Sequence, residues 1–268
     1  MQKIKIVGIL NITSDSFYDG GKFIDADKAV NHAKQLILEG ANILDIGAES
    51  SRPGAIALSI TEELQRLLPV ISKIKEFINQ NNLDVQISID TYKPEVAEKC
   101  LQLGVHIIND ITGLQNDVMG QIIAKYKAGV IIMHMQGNPQ TMQVNPKYED
   151  VVGEIKEFFA ERIAKAQKFG ISNIILDPGI GFGKTVEHNM AILRDLRAFL
   201  SLGYPLLIGV SRKSFIGKLT EAEVSDRLPG TIAMNVMAVM QGVSYLRVHD
   251  VKEHKQVVQM FDAFIGRK

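Results

Sequence analysis

Polar side chains with chemical potential stand at the ends of short apolar segments throughout this chain. The segment from Ile87 to Ile89 stops at Asp90, and that from Val105 to Ile108 stops at Asn109. Asp177 follows Ile174 to Leu176, and His134 follows Val130 to Met133. Elsewhere the same kind of position holds Asn11 with Asp15 and Ser16, Glu49 with Ser51 and Arg52, Lys213, and Arg247 with His249 and Asp250. Two chemistries emerge. The carboxylates and amide of Asp90, Asn109 and Asp177 suit a flat heterocycle whose edge alternates ring nitrogens, an amine and a carbonyl. Arg52, Lys213, Arg247 and His249 suit phosphate or carboxylate. A ligand with a polar aromatic ring at one end and a phosphate at the other would use both. Taken singly, each residue is equally a helix cap, a turn former or a surface charge. Their joint occurrence at nearly every segment end favours function, because barrel stability requires no charge there.

Other motifs carry less. In Asp177 to Thr185, DPGIGFGKT, a Walker A loop needs glycine at Pro178 and a dinucleotide fingerprint needs glycine at Lys184, so both fail by one residue. The glycines instead suit backbone lying close under a planar ligand, with Phe182 as a ring contact. His134 and His188 read as structural histidines. With no HExxH and no cysteine cluster, a tight catalytic zinc site is not expected. Ser211 and Ser214 lack a GxSxG context, and Met133, Met135 and Met142 read as packing. The single cysteine, Cys100, falls on an apolar helical face and reads as a buried small hydrophobe.

The elements that must position these residues follow from periodicity. Residues 86 to 113 form a strand-helix-strand unit, with Pro94 at a first helical position, apolar spacing at Val96, Ala97, Cys100 and Leu101, and Gly104 closing the helix. A parallel crossover places Asp90 and Asn109 side by side on one sheet edge. Eight segments of strand length recur: 4–10, 43–46, 87–89, 105–108, 130–133, 174–176, 206–208 and 245–248. Amphipathic stretches separate or follow them at 25–39, 61–79, 94–103, 118–128, 149–169, 187–201, 224–241 and 252–265, with Thr61 as cap of the second. Strict alternation with eight repeats predicts an α/β chain folded as one (β/α)8 TIM barrel domain over residues 1–268. Long polar segments leave the strands after Leu10 and Ile46, which marks that face for a site.

Composition narrows the partners. Thirty basic and thirty acidic residues balance, which argues against a nucleic-acid surface or a polybasic membrane patch. No apolar run approaches the ~20 residues of a membrane span, the N-terminus does not read as a signal peptide, and one cysteine excludes an internal disulfide framework. A cytoplasmic setting is the simplest expectation.

The blocks GILNITSDSFYDGG, DIGAESSRPGA, SIDTYKPEVAEKCLQLGVHIINDITG, MHMQGNPQTMQ, ILDPGIGFGKTVEHN, IGVSRKSFIG and YLRVHDV, running from Gly8 to Val251, resemble the successive signatures of dihydropteroate synthases. The resemblance implies a homodimeric barrel that joins 6-hydroxymethyl-7,8-dihydropterin diphosphate to 4-aminobenzoate, with Mg2+ on the diphosphate. It further implies that Asp90, Asn109, Asp177 and Lys213 line a pterin pocket walled by Met133, Phe182 and Gly209. By the same resemblance Arg247 and His249 hold the anion, Asn11 contacts the magnesium, Ser51 and Arg52 lie near the aminobenzoate, and Ser214 joins the substrate-binding set. Asp90, Asp177, Lys213 and Arg247 are the expected catalytic group. Tyr18, Ala48 and Ser51 depart from the commonest family pattern, where serine, glycine and threonine are frequent. Two alternatives are a methyltetrahydrofolate-dependent methyltransferase domain, which should lack the SRPGA, SRK and RVHD segments, and a pterin-binding paralogue without catalysis, which should lose Asn11 or Arg52.

Overall fold

The computed structural model describes residues 3–12, 22–50 and 57–267, so Asp15, Ser16, Tyr18, Ser51 and Arg52 lie outside the described residues. The elements alternate as β1 (Lys5–Asn11), α1 (Lys22–Glu39), β2 (Ile43–Gly47), α2 (Ile60–Gln80), β3 (Gln86–Asp90), α3 (Pro94–Gln102), β4 (Ile107–Asp110), α4 (Asp117–Lys125), β5 (Gly129–Met133) and α5 (Val151–Lys168). They continue with β6 (Ile174–Asp177), α6 (Val186–Arg194), α7 (Arg197–Leu200), β7 (Leu207–Ile208), α8 (Ser214–Thr220), α9 (Leu228–Gln241), β8 (Tyr245–Val248) and α10 (Val251–Phe264).

All neighbouring strands pair in parallel, in the order β6-β5-β4-β3-β2-β1-β8-β7. A parallel bridge between Leu176 and Leu206 joins the two ends. The sheet therefore closes into the expected barrel. Period-two alternation divides its side chains into two cores. Ile6, Leu44, Ile46, Ile87, Ile89, Ile108, Val130, Ile132 and Leu176 belong to the large core shared with the helices. Val7, Ile43, Ile107, Ile131, Ile175 and Leu207 form a separate apolar plug, with Tyr245 packed against it. No described helix is long and apolar enough to cross a membrane.

The structure corrects several boundaries. Helix α2 starts at Ile60, and its cap is Ser59 rather than Thr61: the Ser59 hydroxyl accepts from the Glu62 amide at 3.2 Å, while the Glu62 carboxylate takes the Ser59 amide at 2.9 Å. The single helix expected over 187–201 is two. At the break Gln241 accepts from the Leu196 amide at 3.0 Å and donates to the Leu193 carbonyl at 2.7 Å, so a side chain of α9 replaces the helical bonds. The stretch expected to be helical from 224 is a 3-10 turn (Val224–Asp226) followed by α9, which begins with Pro229 in its first turn. Helix α8 has no counterpart in the periodicity; seven residues interrupted by Gly217 are too short to show one.

Replacing Ser59 by Ala removes one half of a reciprocal cap and should lower stability by about 1 kcal/mol. Urea denaturation reads this directly, and an unchanged midpoint would mean that Glu62 alone satisfies the helix end.

Candidate active site

Above the plug the same alternation delivers a polar layer. Two residues beyond Ile43 stands Asp45, and two beyond Ile107 stands Asn109. Likewise Met133 follows Ile131, Asp177 follows Ile175, Gly209 follows Leu207, and Arg247 follows Tyr245. Asp90 pairs in register with both Gly47 and Asn109, and Met133 pairs with Asp177, so neighbouring strands present these residues at one level. The strand-helix-strand unit that begins with β3 thus sets Asp90 and Asn109 side by side, as the crossover predicts.

Arg247 is the hub of this layer. Its Nε lies 2.6 Å from Asp45 Oδ2 and its Nη2 2.9 Å from Asp90 Oδ2. Asn109 donates its side-chain amide to the same Asp45 oxygen at 3.0 Å. Gly209 lies against the arginine stem, where even a Cβ would make only ordinary contact, 3.8 Å from Arg247 Cβ and Cδ. The sequence expects Arg247 at an anion; in the structure two of its donors meet carboxylates inside the barrel. Asp45 is fully buried and was not among the sequence candidates.

Lys213, just ahead of α8, reaches to the neighbouring loop after β6 and donates to the Ile180 carbonyl, with its ammonium 4.5 Å from the centre of the Phe182 ring. Asp177 accepts from the Gly179 amide at 2.8 Å. The turn that carries Phe182 depends on glycine: Gly179 has φ +65°, and a Cβ there would collide with the His134 carbonyl oxygen. His249 is exposed at the rim, its Nδ1 3.0 Å from the Ser211 hydroxyl, and Ser214 is exposed in the first turn of α8. Asn11 is exposed at the tip of β1. Arg212, bound to Asp250 through two contacts of 2.9 and 2.6 Å, ties the loop after β7 to that after β8.

The histidines have structural partners. His134 is buried edge-on against Phe158, and His188 completes the cap of α6 with Thr185. Burial pushes the His134 imidazole down to about 3. Met133 and Met142 are buried, whereas Met135 lines a cavity of about 330 Å³ with Tyr92, Asn138, Phe158 and Arg162.

Burial also sets the ionisation of the layer. Withdrawal from water, reinforced by Asp45, Glu63 and Asp110, pushes the Asp90 carboxyl up to about 7 against the pull of Arg247. Burial raises Asp177 as well, while Lys213, the Gly179 amide, Arg247 and Lys184 pull it down. Desolvation lowers the Lys213 ammonium to about 8, opposed by Asp177 and Asp90. Two acceptors within this layer, Asp45 Oδ1 and Asn109 Oδ1, are buried with no hydrogen-bond partner among the described residues.

A closed parallel barrel with a polar ring layer at the C-terminal ends of its strands is the architecture of a ligand-transforming barrel enzyme. Residues 7–249 match the family described as pterin binding enzyme. The chain is 45% identical over 265 residues to the dihydropteroate synthase of Escherichia coli K12, covering 98% of this chain and 92% of that one. The dihydropteroate synthase of Clostridium difficile, solved with pteroic acid, superposes with a TM-score of 0.91 at 46% identity, covering 100% of this chain and 98% of the other. That of Thermus thermophilus, solved with 4-aminobenzoate, gives 0.87 at 39% identity, covering 97% and 94%. The chain belongs to the dihydropteroate synthase family of pterin binding enzymes.

Ligand binding should follow a bell-shaped pH profile. As pH falls through about 7, Asp90 takes up a proton and its charge is lost; as pH rises through about 8, Lys213 gives up its proton. The pH dependence of kcat/KM reads both limbs, and Asp90→Asn should abolish the acid one. A flat profile from about pH 6 to 9 would contradict this assignment.

Proposed function

We propose that the protein is a dihydropteroate synthase, joining 6-hydroxymethyl-7,8-dihydropterin diphosphate to 4-aminobenzoate with release of diphosphate. The observation that carries this reading is the pair of orphaned buried acceptors, Asp45 Oδ1 and Asn109 Oδ1, in the same inward layer as the buried carboxylate of Asp177. Buried acceptors are costly to leave unpaired. The N–H groups along the edge of a pterin are donors that match them in kind, whereas the oxygens of a phosphate are acceptors and do not. Met133, buried in the layer, supplies a wall for the ring, Phe182 stands half-buried at the mouth above it, and Lys213 faces the ring's carbonyl and nitrogen. The methyltransferase alternative is not favoured by family membership, and the SRPGA, SRK and RVHD segments argue against it.

The chemistry follows from a reduced pterin's electron density. The bond from the pterin methylene to the diphosphate oxygen breaks with its electron pair going to oxygen, and positive charge spreads into the ring. Asp90 and Asp177, withdrawn from water, stabilise that charge more than exposed carboxylates would. His249 at the rim, and the cationic Lys213 and Arg247, balance the departing diphosphate. The arylamine nitrogen then bonds to the methylene carbon and loses a proton to solvent. No strong general base is required, since an arylamine bonded to that carbon becomes acidic.

Among the described residues no three His, Cys, Asp or Glu side chains cluster to hold a metal ion. Asn11 offers a single amide oxygen, which fits a magnesium that arrives on the diphosphate and keeps several waters. When bound there it would supply charge neutralisation to the leaving group. Ser51 and Arg52 belong to this reading as contacts of the aminobenzoate. A homodimer is supported by exposed Leu219, Val224, Met237 and Met240 on and between the neighbouring helices α8 and α9. A reducing cytoplasm is supported by the lone buried Cys100, whose thiol burial pushes up to about 12.

The test is magnesium-dependent diphosphate release from the purified protein, with and without 4-aminobenzoate. Turnover that needs both substrates is expected, and none under any condition would end the synthase reading. Asp177→Asn should lower turnover by about a hundredfold or more while changing the thermal midpoint little, since it removes charge but not volume. Near-normal turnover would remove the charge-stabilisation step.

A further inference from the structure

The turn 179–183 between β6 and α6 carries Phe182, and side chains from several directions hold its backbone. Lys184 Nζ donates to the Phe182 carbonyl at 2.9 Å and to the His134 carbonyl at 3.4 Å, and lies 3.0 Å from His134 Nδ1. The Tyr148 hydroxyl donates to the Gly183 carbonyl at 2.9 Å, and Gln143 to the Gly181 carbonyl at 2.5 Å. Asn189 accepts from the Gly181 amide at 2.8 Å. Backbone fit leaves no slack: a Cβ at Gly183 would lie 2.6 Å from the Gln136 carbonyl oxygen.

Lys184 is only 3% exposed, and no carboxylate among the described ion pairs reaches it. Burying an amine on neutral acceptors costs free energy that a methionine of similar length would avoid. What the lysine provides is directional: one atom joins the tip of β5 to the turn after β6. Phe182 itself is half-buried, with the Lys213 ammonium 4.5 Å from its ring centre, while Asp177 and Asn109 are buried. Its ring thus stands nearer the mouth than the proposed pterin contacts, on the side from which a second substrate enters.

We propose that Lys184, with Tyr148 and Gln143 as flanking anchors, is a positioning residue that locks the 179–183 turn so that Phe182 forms a fixed wall for the aromatic amine. This rests on the synthase reading. None of the three anchors needs to touch substrate; they act through the turn.

The experiment is a double-mutant cycle on the full-length enzyme, combining Lys184→Met and Phe182→Ala. Lys184→Met should raise KM for 4-aminobenzoate about fivefold or more while Kd for the pterin diphosphate stays within about twofold. In the Phe182→Ala background it should add little, because the wall it positions is already gone. Multiplying effects, an unchanged KM for the amine, or equal losses for both substrates would overturn the proposal. If Lys184→Met does not fold, Tyr148→Phe crossed with Phe182→Ala tests the same clamp: coupling on the amine KM supports it, and independence or no effect sinks it. The wild type run in parallel separates the two failures. Absent diphosphate release there defeats the synthase reading, whereas an active wild type with uncoupled variants defeats only the clamp.

Discussion

The whole site depends on the period of two along a β-strand. Each inward-facing position lies two residues above the last, so a floor of Val7, Ile43, Ile107, Ile131, Ile175 and Leu207 places the next inward layer at Asp45, Asn109, Met133, Asp177 and Gly209, with Arg247 above Tyr245. The plug excludes water from below. The polar layer therefore works in a low-dielectric setting, where charges and hydrogen bonds are strong and unpaired atoms are expensive. A one-residue slip in any strand would turn its functional side chain into the helix-facing core and raise an aliphatic residue in its place.

Within that layer Arg247 makes so many acids tolerable. Asp45 and Asp90 come from β2 and β3, and one guanidinium from β8 bridges them across the barrel mouth. The compensation is incomplete: Asp90 is still pushed up to about 7 by burial, and Lys213 is drawn down to about 8. Below Asp90's raised pKa the folded protein gains a proton relative to the unfolded chain, so ionising that carboxylate at neutral pH costs stability. A protein selected for stability alone would replace such a layer with aliphatic residues. Its presence is physically intelligible as preorganisation for a ligand that supplies the missing donors and a developing positive charge.

The barrel and most of this layer could be read from the residues, because inward polar positions at strand ends interrupt apolar runs visibly: Asp90, Asn109 and Asp177 each terminate one. Asp45 escaped because it sits within the apolar run ILDIG rather than after it. The signal was available, since an aspartate two residues beyond an inward isoleucine is itself inward. The partner of Arg247 could not be inferred, as it depends on which strands face each other across the closed barrel. Ser59 displaced Thr61 as a cap because the chain enters α2 two residues earlier than a Thr61 cap requires, and the break between α6 and α7 is imposed by Gln241 from a distant helix. Such long-range side-chain substitutions for helical bonds leave no local trace. The roles of Ser51 and Arg52 rest on family resemblance, and both lie outside the described residues.

Asp45 Oδ1 and Asn109 Oδ1 stand unpaired among the described residues, and on the proposed function they take the N–H edge of a pterin. A crystal structure of the protein with 6-hydroxymethyl-7,8-dihydropterin diphosphate measures this most directly. The ring should lie over the apolar plug, with donors within hydrogen-bond distance of both oxygens and of Asp177. A pterin bound elsewhere, or one that leaves those two oxygens still without donors, would contradict it.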